Sequence, residues 1–171
     1  MRHVSNQAMR LHPERLAGNV FEPYGEVIEH AGDAARHPVR IPFEVSRSDV
    51  RFGMTVNRLK HCADPVVNVD VLERHPHSPQ SFIPLGGATR SLIVVARSAD
   101  DGTLDLSTLR AFICAPGQGV VYRLAVWHYA FTSIDDNAEV AVILGRTGQD
   151  DDTEYTRLRA PVQVILEKAG S

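Results

Sequence analysis

The sequence has little cysteine and little tryptophan, no block of one charge and no long apolar run, and each shortage excludes something. Cys62 and Cys114 are the only cysteines in 171 residues. They are unclustered and sit in apolar or mixed surroundings, so no structural disulfide is expected and both read as small packing residues. The 18 basic and 21 acidic residues are dispersed, for a formal charge of −3. Without a basic stripe to track a phosphate backbone, nucleic acid is not an expected partner. No stretch approaches the roughly 20 consecutive apolar residues that cross a bilayer, and the opening MRHVSNQAMRLHPERL lacks the apolar centre of a secretion signal. A cytoplasmic protein with no membrane contact is expected. Lysine is scarce too: Lys60 is one of two, and at a strand end it reads as a solvated cation rather than a Schiff-base amine.

A helical period is also missing except at the two ends. Short segments rich in Val, Ile, Leu and Phe recur instead, separated by Gly, Pro, Asp and Asn, which is the pattern of a β-rich chain. Strands are expected over 26–30, 52–59, 66–74, 80–85, 91–96, 109–114, 120–126, 130–133 and 140–145. PLGGA (84–88), ADDGT (99–103), APGQG (115–119) and DDNA (135–138) supply turn chemistry between them. Many short strands at this spacing predict a mainly-β barrel or jelly roll occupying the whole chain, 1–171, as one domain. A short helix is expected over 13–17, with proline in its first turn. The tail after Gly148 begins acidic and turns amphipathic, as a helix or a strand packed on the barrel or on a partner subunit.

The chemistry concentrates in LERHPHSPQSFIPLGG, residues 72–87. In a regular strand, Val69, Val71, Glu73 and His75 share one face, and Asp70, Leu72 and Arg74 the other. Pro76 brings no N–H and ends the ladder. An inward carboxylate and imidazole on neighbouring same-face positions are costly to bury unless paired, metal-bound or solvated by a ligand cavity. The alternative is an exposed turn carrying His75 and His77, with Glu73 paired to an arginine. His128, beside the only tryptophan in YRLAVWHYAF (122–131), reads either as the polar tip of an aromatic-walled pocket or as ordinary core edge. Arg74 and Arg110 alternate away from their apolar neighbours and read as structural ion pairs.

These strings, together with FEPYGEVIE (21–29), VNR (56–58), LDLSTLRAFI (104–113), GQGVVY (117–122) and VWH (126–128), resemble the ureidoglycolate lyase family over about residues 16–155. That family is of cupin-like β-barrel fold, and the resemblance implies a polar cluster inside the barrel. The cupin ligand pattern corresponds here to Glu73, His75 and Gln80, followed by Gly87, with His128 from the second motif. The resemblance therefore implies a divalent-metal site of Glu73, His75, Gln80 and His128, and no organic cofactor.

Ureidoglycolate carries a hydroxyl and a urea nitrogen on one carbon, next to a carboxylate. Its cleavage to glyoxylate and urea, a step of allantoin and purine degradation, needs a base for the hydroxyl proton, an acid for the departing nitrogen and a clamp for the carboxylate. The resemblance implies His75 and His128 as base and acid, Glu73 as their orienter and Gln80 on the ureido group. Arg58 is expected on the carboxylate, with a barrel-rim cation as its alternative. Tyr122 and Trp127 are expected on the substrate-binding wall, and a homodimer is the expected assembly. The chain departs from the family where the family commonly reads GVNY and GVWHHP: it has Val121, Ala125, Tyr129 and Ala130. Those changes favour, as alternatives, a related carbon–nitrogen lyase or hydrolase acting on another small ureido or hydroxy acid, or a non-catalytic cupin that binds a small carboxylate.

Overall fold

Apolar runs broken by turn residues become thirteen strands and one helical turn in the computed structural model, which describes residues 9–39, 44–86 and 89–166. Along the chain, β1 (Arg10–Leu11), β2 (Glu14–Arg15), α1 (Gly18–Phe21) and β3 (Gly25–Ile28) come first. They are followed by β4 (Arg51–Leu59), β5 (Val66–Arg74), β6 (Gln80–Pro84), β7 (Ser91–Ser98) and β8 (Leu104–Cys114). Then come β9 (Gly119–Tyr122), β10 (Trp127–His128), β11 (Thr132–Ser133), β12 (Ala138–Arg146) and β13 (Glu154–Ile165).

Two sheets result. The larger runs β1-β13-β5-β10-β7-β8-β2 with β11 joined to β7, and the smaller runs β3-β9-β6-β12-β4. They face one another across the main core, in which Phe82, Val120, Tyr122, Val140 and Val142 of the small sheet meet Ile93, Val95 and Phe112 of the large one. Alternation along β7 sends Leu92, Val94 and Ala96 to the opposite face. There they form a second apolar cluster with Val67, Val69, Leu72, Trp127 and Val164. The mainly-β barrel or jelly roll expected from the sequence is met by a mostly β chain of two sheets.

Local expectations differ at several elements. Residues 13–17 are not helical: Glu14–Arg15 pairs parallel with β8 and Leu16 N–H donates to Ile113 at 3.0 Å. The open edge of β8 and the Glu14–Arg110 ion pair, 2.9 Å at Arg110 Nε, outweigh a short helix of marginal stability. The helical turn lies just beyond, at Gly18–Phe21. The expected strand 120–126 stops at Tyr122, because Ala125 takes a positive φ of 59° and the chain restarts as β10. The tail is a twelve-residue strand, β13, paired with β5. Gly87 and Ala88 of the expected PLGGA turn lie outside the described residues. Cys62 and Cys114 are unpaired, and burial pushes the Cys114 thiol up to about 12, which makes it inert packing.

Candidate active site

The cluster begins where β5 leaves its regular pleat. Val67 and Val69 face the second cluster, but β13 slips register against β5 between Arg157 and Val162. Beyond that slip Leu72 takes the second-cluster face, Arg74 lies over Trp127 of the same cluster, and Val71 and Glu73 turn the other way. The expected shared face of Val69, Val71 and Glu73 is corrected accordingly. Extra residues in one strand re-aim the side chains of its partner, as bulges do. Pro76 ends the ladder, and His75 packs at 5% exposure.

The loop that follows is pinned to β12. Ser78 Oγ donates to Gly145 O and accepts from Gly145 N–H, both at 3.0 Å. A Cβ on residue 145 would stand 2.5 Å from Val50 Cγ1 and 2.8 Å from Ser78 Cβ, so only glycine permits the approach. This clamp delivers Gln80 to the start of β6, opposite Tyr122 on one side and Leu144 on the other.

His128 arrives from β10, wedged between β5 and β7 opposite Glu73 and Val95. It is 1% exposed, its ring centroid 4.6 Å from Tyr122 and 5.4 Å from His75. Each imidazole is oriented by a backbone carbonyl. His128 Nδ1 lies 3.0 Å from Val126 O, and His75 Nδ1 lies 3.0 Å from Asp152 O. A carbonyl only accepts, so Nδ1 carries hydrogen in both rings and Nε2 is the working atom. Both Nε2 atoms are buried without a hydrogen-bond partner, as are Gln80 Oε1 and the Tyr122 hydroxyl. Four orphaned polar atoms in neighbouring side chains are costly to fold and call for a ligand or cation.

The electrostatics act on Glu73 and His75. His128 Nε2 stands 3.3 Å from Glu73 Oε1, close enough for charge attraction but not aligned as a hydrogen bond. A cation between the Nε2 lone pair and the carboxylate would attract both. His128 above all, with a further contribution from His75, holds the Glu73 carboxyl below its ordinary value against the opposing effect of burial. His75 is shifted down, first by burial and then by His128, so it favours the neutral form. Glu73, His75 and His128 offer ligand atoms that all lie within 4.8 Å of one another. Two carbonyl-oriented imidazoles, a charged carboxylate and the unpartnered Gln80 oxygen fit a divalent cation.

Of the residues expected at the site, the structure brings Glu73, His75, Gln80, Tyr122 and His128 together. It does not bring Arg58 or Trp127. Arg58 stands 82% exposed at the far end of β4, ion-paired to Glu139 at 3.2 Å. Trp127 neighbours His128 in sequence, and for that reason points to the other face of its strand, under the Arg74 guanidinium at 4.7 Å. Arg74 is held there by Glu154, Ser98 and the Gly102 carbonyl, as a structural cation. Val121 alternates away from Tyr122, so its departure from the family pattern falls outside the cluster. Tyr129 falls at its mouth: a cavity of about 200 Å³ is lined by Val71, Glu73, His128, Tyr129, Ala130 and Tyr155. Tyr155 and the Asp152 carbonyl went unsuspected because both come from β13 and its approach, some 80 positions from Glu73 and His75.

Comparison with known proteins identifies the family. A family model described as ureidoglycolate lyase matches residues 8–165. A ureidoglycolate lyase of Burkholderia cepacia is 33% identical over 144 residues, 78% of each chain. One of Salmonella paratyphi B is 38% identical over 130 residues, 71% of this chain and 78% of the relative. A further relative, from Agrobacterium fabrum, is 38% identical and matched over 60% of its length. Among solved structures, Bacillus subtilis oxalate decarboxylase overlaps 75% of this chain and 35% of its own at 15% identity, with a TM-score of 0.38. RmlC from Streptococcus suis overlaps 54% and 43% at 8% identity, with a TM-score of 0.39.

Proposed function

The chain belongs to the ureidoglycolate lyase family, and from that premise we propose that it cleaves ureidoglycolate to glyoxylate and urea at the Glu73, His75, Gln80 and His128 cluster. The observation that carries the proposal is the pair of buried Nε2 atoms without a hydrogen-bond partner, that of His128 standing 3.3 Å from the Glu73 carboxylate. His75, kept neutral by burial, takes the hydroxyl proton at Nε2. The carbon–oxygen double bond forms as the carbon–nitrogen bond breaks, and the electron pair leaves on nitrogen. His128, 3.3 Å from the Glu73 carboxylate, supplies the proton to that nitrogen from Nε2. Gln80 accepts from the ureido N–H groups, and Tyr122 closes the floor of the pocket. Solvent returns the proton from His75 to His128 between turnovers.

The same donor set would hold a divalent cation, with Glu73, His75 and His128 as ligands and Gln80 beside them; such an ion would polarise a substrate oxygen as a Lewis acid. The free cysteines fit a reducing cytoplasm. Met54 at 67% and Val56 at 59% exposure on the edge strand β4 fit a homodimer that covers them. The test is glyoxylate release from ureidoglycolate, before and after exhaustive chelation and with divalent ions restored. Release well above the spontaneous rate is expected, falling about 10²- to 10⁴-fold in His75→Ala and in His128→Ala. No release under any of these conditions, or full activity in both variants, overturns the assignment.

A further inference from the structure

With Arg58 displaced to the far end of β4, the substrate carboxylate needs another cation. We propose that Arg51 and Arg146 form the carboxylate-binding subsite of this site, an inference that rests on the reaction assigned above. The two stand directly opposite one another on the paired strands β4 and β12. Each lies two residues from the cross-strand row Gly53, Leu144, Gln80 and Tyr122, and therefore on the same face as that row. That distance is about 7 Å along the strands, within the reach of an arginine side chain.

Both arginines line, with Gly53, Thr55, Leu144 and Gln80, a cavity of about 300 Å³. A Cβ on Gly53 would meet nothing within 4 Å, so the floor between the two strands is open. Like charges directly opposite in a ladder repel. Among the described residues no carboxylate oxygen lies within 4.0 Å of either guanidinium, whereas Arg47, Arg58, Arg74 and Arg90 all have one. Arg51 Nη1 donates to the carbonyls of Ser48 and Val50, both at 2.9 Å, which fixes the head and leaves Nε and Nη2 undirected. An anion held between two guanidiniums turns that repulsion into attraction, and a carboxylate matches their forked donors. Gln80 then spans the two halves of the site, with its row leading to His128 through Tyr122 and to the arginines through Leu144.

The experiment is steady-state kinetics on Arg51→Gln and Arg146→Gln, with glyoxylate binding measured by calorimetry in the absence of turnover. Each variant should raise KM about 10- to 100-fold and weaken glyoxylate binding in step, with kcat changed far less. Arg51→Lys and Arg146→Lys should restore part of the loss, and Arg58→Gln should behave as wild type. Wild-type KM and glyoxylate affinity in both glutamine variants overturn the subsite, as does an equivalent loss in Arg58→Gln. A wild-type protein that binds glyoxylate through these arginines without cleaving ureidoglycolate would support the subsite and sink the reaction instead.

Discussion

Ala125 offers a prediction whose size can be worked from the backbone. Its φ of 59° is the only positive value among the described non-glycine residues, in the turn between β9 and β10. An L-residue there costs about 1–2 kcal/mol through crowding of its Cβ. Glycine escapes that crowding but loses about 0.5–1 kcal/mol more backbone entropy on folding than alanine. Ala125→Gly should therefore stabilise the protein by about 0–1.5 kcal/mol, and at the midpoint of about 0.75 kcal/mol by about 1.5–3 °C in Tm for a chain of this length. The turn also positions the site. Ala125 N–H donates to His75 O at 3.0 Å, and Ser98 Oγ donates to Ala125 O at 2.7 Å. Calorimetric Tm of wild type and variant at pH 7.5 is the assay, with glyoxylate release measured in parallel. A Tm that is lower would refute the reasoning, because it would mean that the surrounding hydrogen bonds impose no strain on the alanine.

Two further predictions concern stability. Gly145→Ala should destabilise by about 1–3 kcal/mol, because the new Cβ meets Val50 and Ser78 inside contact distance, and activity should fall with it as the loop carrying Gln80 shifts; thermal unfolding against glyoxylate release checks both. Stability should also fall with pH in two steps. The folded His75 resists the proton that the unfolded chain accepts below its ordinary 6.5, so the first loss begins as pH drops through that value. The folded Glu73 carboxyl stays charged below its ordinary 4.5, so its contribution is present above that value and is lost at lower pH. A His75→Gln variant that keeps the same Tm decline between pH 7 and pH 5.5 would contradict the first step.

What the sequence made legible was whatever depends on near neighbours. Strand positions followed from apolar runs and turn residues, and Glu73, His75 and Gln80 fell together because one strand, one proline and one short loop carry all three. The parity rule already contained the answer for Trp127: a residue adjacent to His128 on a strand has to face the other way, so the pair could never line one wall. Other features depended on partners far along the chain. The face switch within β5 is imposed by the slip in β13, and the nominal helix over 13–17 gives way to the edge of β8. Arg58 and Arg51 are both arginines of β4, and nothing local distinguishes them. Register against β12 does, because it sets Arg58 beside Glu139, which satisfies it, and Arg51 beside Arg146, which does not. The functional candidates in this fold are therefore set by long-range pairing: two imidazole nitrogens aimed by the backbone carbonyls of Val126 and Asp152, and two guanidiniums held opposite one another rather than opposite a carboxylate. Residue type alone marks neither set, since His77 and Arg47 carry the same chemistry and find their partner in Asp151.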